Sequence, residues 1–441
     1  MPPSSSALPP PPLDGDMLSE EMEEELSTLP NMELSHLYFV LQHAFATHGT
    51  IDEHCAAKKQ VLELIERHAM TPFYRRVCRE FHWPVDPALE ARMEAQNALE
   101  LARLDARVAD AEQNLGEIEV LEAMLAKARM YSRIGEKDKA LEAFALASDK
   151  PQSSNQQILV ALHIIRIGLF FNDLDLVEQY IAKATAYVRA ATGVVSMGGL
   201  LLVLWLMLFD GYANYVTRYI DEGGDWDRRN RLKVYEGCYL LLTRDFKKAA
   251  TRFQESIATF TATELMPYRT LVFYSVVTCV LSLPRVELKE KIVDSPEILA
   301  VMDEIPFLRD FLNGIYECKY QTFFTALVQL EPMILQDKYL STHARYLYRE
   351  LRVLAYAQFL EAYRSVTLDS MATAFGVSMA FLDKELARFI AAGRLNAKID
   401  KVDGVIETNR PDMKNAQYQD AIKKGDLLLN RIQKLARVIN V

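Results

Sequence analysis

The chain has 441 residues, 50% of them hydrophobic and 25% charged, with a formal net charge of -10. These values are ordinary for a soluble globular protein with two or three domains, and the acidic balance argues against a polyanion as the main partner. The five cysteines are odd in number and never form a Cys-x-x-Cys pair, which disfavours a disulfide framework and a zinc site. Because Gly and Pro are sparse, helix is the expected default.

The N-terminal part is predicted to be a disordered tail followed by helices. Half of the first twelve residues are Pro, and an acidic run, SEEMEEEL, follows, so residues 1–30 bury too little apolar surface to fold. No basic region precedes an apolar segment, so a secretory signal is not expected. Residues 31–115 are predicted to be N-terminal helices. Residues 87–115 are predicted to form one long amphipathic helix, with Leu101, Leu104, Val108, Ala111 and Leu115 spaced by three and four.

Residues 116–350 are predicted to form a helical-repeat solenoid of the tetratricopeptide kind. In such hairpins small residues let two helices approach, and aromatic residues fill the space between hairpins. Three successive segments have this spacing. The positions concerned are Ala128, Tyr131, Gly135, Ala140, Phe144 and Ala147, then Ile165, Gly168, Val177, Ile181 and Ala184, then Gly237, Leu240, Ala249 and Phe253.

An apolar stretch interrupts the repeats. Ala140 and Val177 are separated by a normal repeat, whereas Val177 and Ala249 are nearly two repeats apart, which predicts an insertion at about 185–214. Residues 190–209 carry no charge and meet the length of a membrane span, but only the second half is strongly apolar and no basic cluster flanks it. A membrane span, a buried or partner-facing helix, and an insertion foreign to the repeats remain the alternatives.

The corner after this stretch is a candidate interaction site. Trp226 offers a large anchor, and Asp227 is expected to cap the next helix. Arg228 and Arg229 could pair with a neighbouring subunit, although a packed turn between repeats is the simpler interpretation.

Residues 351–410 are predicted to form a winged helix. A short helix, a turn, a longer helix capped by Ser378 and ended by Gly393, and two alternating strands joined through an Asp-Gly turn follow in that order. Arg394, Lys398 and Lys401 would give the wing a modest basic edge. The second helix lacks excess positive charge, so a protein-docking surface is favoured over nucleic-acid binding.

Residues 411–441 are predicted to form a C-terminal bundle helix. Apolar residues recur at alternating intervals of four and three, and further leucines widen the stripe, a pattern typical of helices that pack with other helices. The alternative is that this helix folds back on its own domain. The candidate contact residues are Ile422, Leu428, Leu429, Ile432, Leu435 and Ile439.

The order of these elements resembles the PCI family, which is shared by the proteasome lid, the signalosome and translation initiation complexes. The segments that carry the resemblance are GGDWDRRNRLKVYEG at 223–237, RFIAAGRLNAKIDKV at 388–402, and residues 407–440. The Pro-rich tail and the apolar stretch depart from the family pattern, which favours the foreign-insertion alternative.

This resemblance implies a non-catalytic structural subunit of the proteasome regulatory-particle lid, supporting assembly and ubiquitin-dependent protein degradation. The implied partners are other PCI subunits of the lid and the ATPase ring, in a hetero-oligomer of the cytoplasm and nucleus. Catalytic motifs such as His-Glu-x-x-His and phosphate-binding Gly-rich loops are missing, so we expect no enzymatic activity, no cofactor and no metal. The alternatives are a PCI scaffold of the signalosome or of a translation initiation complex, or a membrane-anchored repeat adaptor.

Overall fold

The predicted mostly helical fold with a winged helix and a C-terminal helix is confirmed. A computed structural model describes residues 29–46, 51–148, 150, 154–193, 226–408 and 413–439. The helices of the N-terminal and repeat regions are α1 Met32–Ala46, α2 Ile51–Arg67, α3 Thr71–Glu80, α4 Pro87–Asn114, α5 Glu117–Ile134, α6 Lys137–Ser148, α7 Ser154–Phe171, α8 Leu174–Gly193, α9 Trp226–Leu242, α10 Phe246–Ile257 and α11 Tyr268–Ser282.

The remaining elements end in a small sheet and one long helix. They are α12 Arg285–Leu288, a π-helix Lys289–Val293, α13 Pro296–Met302, α14 Leu308–Tyr316, α15 Tyr320–Gln336, a 3₁₀ turn Ser341–His343, α16 Ala344–Ala362, β1 Ser365–Thr367, α17 Leu368–Phe375, α18 Met379–Ala391, β2 Ala397–Asp400, β3 Val405–Thr408 and α19 Met413–Ile439. The chain divides into two compact units, Met1–Glu304 with Pro332–Ala344, and Ile305–Glu331 with Arg345–Val441.

Antiparallel helix pairs build the first unit: α5 with α6, α7 with α8, and α9 with α10. The small residues sit at the contacts, as the spacing predicts. Ala140, Val177 and Ala249 are fully buried, and a methyl group added at Gly168 would lie 2.7 Å from Val177 Cγ2. The paired helices therefore touch at distances that only small side chains allow.

A buried polar cluster joins distant parts of the first unit. The Lys338 ammonium donates to Ser35 Oγ at 2.5 Å and to the Leu169 carbonyl at 2.6 Å. Asp337 accepts from the Tyr274 hydroxyl at 2.5 Å. Burial lowers the pKa of Lys338 to about 7 and raises the pKa of Asp337, because water no longer solvates either charge. The cluster fixes α1 and the end of α7 to the segment that carries residues 337 and 338.

The last two residues of the predicted tail belong to the described fold. Pro30 is buried, and the Leu29 carbonyl accepts from Arg166 Nη1 at 3.0 Å. Residues 1–28 lie outside the described residues. So does 194–225, which contains most of the predicted apolar insertion, while residues 185–193 continue α8 to its end at Gly193.

A winged helix forms within the second unit. Its sheet has the order β1-β3-β2 with antiparallel pairs, so β3 lies between the two other strands. Strand β1, which the sequence analysis did not anticipate, is only three residues long and pairs Val366 with Ile406. Aromatic side chains from α15, α16 and α17 fill the core, with the Phe375 ring centroid 4.7 Å from Tyr320 and 4.9 Å from Tyr356.

Candidate protein-interaction site

The C-terminal helix α19 exposes its apolar stripe along its length. Every residue from 417 to 437 is exposed. This is unusual for an amphipathic helix, which normally packs its apolar side against the rest of the protein. The large apolar side chains on the helix are 57–68% exposed: Tyr418, Ile422, Leu427, Leu428, Leu429, Ile432 and Leu435. The fold-back alternative is therefore wrong for these residues, because none of them is buried against another described part of the chain.

The predicted stripe residues share one side of α19. Ile422, Leu429 and Ile432 recur at intervals of seven and three, and Leu428 and Leu435 widen the side they form. Leu427 lies on the opposite side and was not anticipated, since it falls outside the four-and-three spacing. Ile439 ends the helix, and its side chain lies outside the described part.

The basic edge predicted for the wing is largely neutralised. Arg394 Nη2 pairs with Glu350 Oε2 of α16, and Lys401 Nζ lies 3.3 Å from Asp383 Oδ2 of α18. Lys398 on β2 is exposed and has no ion pair within the described residues. The sequence could not reveal this, because Glu350 lies 44 positions from Arg394. The ion pairs leave less free positive charge for phosphates than the sequence indicates.

A carboxylate of helix α18 points into the protein and holds the helix in place, so it does not face a ligand. Glu385 is buried, accepts from the Tyr356 hydroxyl at 3.0 Å and lies 3.2 Å from Arg352 Nη2. Burial and the nearby Glu385 charge raise the pKa of Tyr356. Ser378 stands at the N-cap position of α18, but its side chain makes no capping hydrogen bond, which corrects the prediction. These contacts orient α18 against α16 within the second unit.

The corner at Trp226 begins helix α9. Trp226 is the first residue of the helix and is 44% exposed. Asp227 lies inside the first turn, where it pairs with Arg231 Nε at 2.9 Å, so the prediction that it caps the helix is wrong. Arg228 and Arg229 follow, and both are half-buried. Whether these three site residues contact another protein stays a prediction.

Within the described ranges, no group of three or more His, Cys, Asp or Glu residues could hold a metal ion. In the same ranges no helix has the length and hydropathy to cross a membrane; the uncharged stretch 194–209 lies outside them. Four cysteines are described as free thiols, and three of them are buried: Cys78, Cys238 and Cys279.

Helical repeats, a winged helix and an unburied terminal helix, in this order, define a subunit of the PCI class. The PCI domain family matches residues 327–410. The family described as 26S proteasome subunit RPN7 matches 86–195 and 206–291, leaving a gap inside the apolar stretch, and a C-terminal helix family of the RPN7/PSMD6 type matches 417–439. The chain belongs to the family of 26S proteasome non-ATPase regulatory subunit 6, also named RPN7.

The proteasomal relatives are similar to this chain over nearly its whole length. The 26S proteasome non-ATPase regulatory subunit 6 homolog of Arabidopsis thaliana is 46% identical over 95% of this chain and 99% of its own length. Subunit RPN7 of Saccharomyces cerevisiae is 32% identical, with 96% of each chain covered. COP9 signalosome complex subunit 1b of Drosophila melanogaster is 23% identical over 74% of this chain and 58% of its own length. The proteasomal relatives are thus the nearer ones among these.

Proposed function

We propose that this chain is a non-catalytic structural subunit of the lid of the proteasome regulatory particle. By holding other subunits it supports assembly of the particle and, through the particle, ubiquitin-dependent protein degradation. The observation that carries this proposal is the unburied apolar stripe of α19, with its large side chains more than half exposed. A contiguous exposed apolar surface of this kind marks a site of protein–protein interaction, and it offers no group for catalysis.

The partners that fit this role are the other PCI subunits of the lid and the ATPase ring, in a hetero-oligomer of cytoplasm and nucleus. The relatives are named as regulatory subunits of the 26S proteasome. These names support membership of that complex, but they do not identify which subunits this chain contacts. Apolar burial along α19 would supply most of the free energy of association. Charged residues at the Trp226 corner, and Lys398 on the wing, would then select the neighbour that fits.

The test is affinity purification of the tagged full-length chain from its native cells. We expect proteasome regulatory subunits and ATPases to be recovered in stoichiometric amounts, and the isolated chain to hydrolyse neither ATP nor ubiquitin conjugates. Recovery of signalosome subunits instead would support the alternative that the 23% identical relative suggests. Substrate turnover by the isolated chain would contradict the non-catalytic role.

A further inference from the structure

Lys338 is a buried amine whose hydrogen-bond partners include no carboxylate. Its Nζ atom lies 2.5 Å from Ser35 Oγ, 2.6 Å from the Leu169 carbonyl oxygen and 3.4 Å from the Phe170 carbonyl oxygen. The residue is only 8% exposed. No acidic side chain in the part of the chain that the structure describes forms an ion pair with it. A buried positive charge without such a partner is costly, because the protein does not replace the lost hydration.

The three oxygen atoms around Lys338 Nζ can satisfy either protonation state. An ammonium group donates to all three, and the Ser35 hydroxyl then donates to the Phe170 carbonyl at 3.2 Å. A neutral amine donates to the two carbonyls and accepts a hydrogen bond from the Ser35 hydroxyl, which reaches it by rotating. The neutral form therefore avoids the buried charge without leaving a polar group unpaired.

Only one of these three oxygen atoms belongs to α1. Ser35 lies on α1, whereas the two carbonyls end α7 and stay beside the amine if α1 separates. Water then reaches Lys338 Nζ from the side that α1 leaves. Burial lowers the pKa of Lys338 to about 7 in the folded chain, so contact with water moves this pKa back towards its ordinary value.

We propose that Lys338 couples the docking of α1 on α7 to a single proton, with α1 docking more tightly on the neutral amine than on the ammonium group. The proton released on docking passes to the solvent. This inference goes beyond the proposed function, because it concerns the folded chain by itself. Apolar residues of α1 are buried as well, Met32, Leu34 and Leu41, so α1 stays docked in both states and Lys338 sets how firmly.

The direction of the pH effect follows from the proton count. Above pH 7 the docked state holds fewer protons than the open state, since Lys338 is neutral when α1 is docked and charged when α1 is open. The docking equilibrium therefore rises with pH, by up to about tenfold per pH unit for one proton. Below pH 7 both states carry the proton, and the dependence disappears.

Several other ionisable groups near Lys338 keep the same charge between pH 7 and 9. Burial raises the pKa values of Cys238 on α9, Tyr274 on α11 and Tyr339 beside Lys338, so all three stay protonated. Arg166, one turn before the end of α7, stays charged at any of these pH values. None of these groups competes with Lys338 for the effect.

The carboxylate of Asp337 is held by groups outside α1. It accepts from the Tyr274 hydroxyl at 2.5 Å and from the backbone N–H groups of Tyr339 and Leu340, both at 2.9 Å. Separation of α1 leaves these three hydrogen bonds in place. Asp337 therefore does not report the docking of α1 in this pH range.

Two more groups complete the surroundings of the amine. Asp173, just beyond the end of α7, pairs with Lys137 Nζ at 2.5 Å and not with Lys338. His36 follows Ser35 on α1 and is exposed. Because His36 is an ionisable group on the helix that moves, the experiment includes a variant without it.

The experiment is hydrogen exchange of the purified full-length chain between pH 7 and 9, read by mass spectrometry of peptides from α1 and α10. Hydroxide catalyses exchange of an open amide, so α10 should exchange about a hundredfold faster at pH 9 than at pH 7. In α1 the open fraction falls as the pH rises, so we expect its exchange to speed up less than about tenfold over the same range.

Two variants assign the effect to the amine. Lys338→Met keeps the apolar stem and should restore a rise of about a hundredfold in α1. His36→Gln should keep the small rise of the wild-type chain. A hundredfold rise in wild-type α1 would overturn the proposal, as would a small rise that persists in Lys338→Met or that also appears in α10. The comparison of α1 with α10 in the wild-type chain decides the question even if Lys338→Met does not fold.

Discussion

Removing residues 421–441 will leave a folded chain that fails to enter the proteasome regulatory complex. The deleted residues up to 437 are all exposed, so the two compact units lose no buried contact with them. The deletion removes five large stripe side chains that the structure describes, Ile422, Leu428, Leu429, Ile432 and Leu435, each contributing about 1 kcal/mol or more when a partner covers it. Association should weaken on the order of a thousandfold.

Native electrophoresis of cell extracts measures this outcome, and thermal unfolding of the purified chains measures folding. The triple alanine variant of Leu428, Leu429 and Ile432 should weaken association by roughly a hundredfold by the same arithmetic. Leu427→Ala is the matched control, because Leu427 is equally exposed but lies on the opposite side. Entry of the truncated chain at the wild-type level would show that α19 is dispensable.

Replacing Phe253 with alanine will destabilise the repeat unit by about 3–5 kcal/mol, the range for truncation of a fully buried aromatic side chain. Phe253 is fully buried on α10, lies against Gly237 of α9, and has its ring centroid 6.2 Å from that of Tyr274 on α11. Its removal leaves a cavity that three helices line. The measurement is the urea midpoint of the first unit, followed by hydrogen exchange of the amides in α9 and α10.

Substitution of Gly237, which lies against Phe253, tests the same contact. Helix propensity and packing predict opposite effects of this substitution on stability. Gly237→Ala should stabilise an isolated helix by about 1 kcal/mol. In the folded chain the new methyl group overlaps the Phe253 ring, so we expect net destabilisation by about 1–3 kcal/mol. Lys247→Ala, at an exposed position of α10, is the control. A higher urea midpoint for Gly237→Ala would refute the close contact between α9 and α10.

The repeats and the winged helix could be predicted because their signals are local. Small residues at fixed intervals mark helix pairs, and the Asp-Gly turn between β2 and β3 marks a hairpin. Strand β1 escaped prediction because three residues carry no recognisable alternation. Its identity as a strand depends on pairing with β3, some 40 positions later.

Contacts between distant residues could not be predicted from one sequence. Lys338 meets Ser35 across 303 positions, and its neighbour Asp337 gives no local sign that both side chains are buried. The ion pairs of Arg394 and Lys401 could not be predicted for the same reason. They make the edge of the wing, which was expected to be basic, largely neutral. The stripe of α19 was predictable from its period, but its exposure depends on the fold of everything else.

The central claim is that another subunit covers the apolar side of α19. Hydroxyl-radical footprinting of residues 417–437, in the free chain and in purified regulatory particles, tests it most directly. We predict that Ile422, Leu428, Leu429 and Ile432 react readily in the free chain and are protected in the particle. In the particle, Leu427 should react more than these four residues. Equal reactivity of the four stripe residues in both samples would contradict the account.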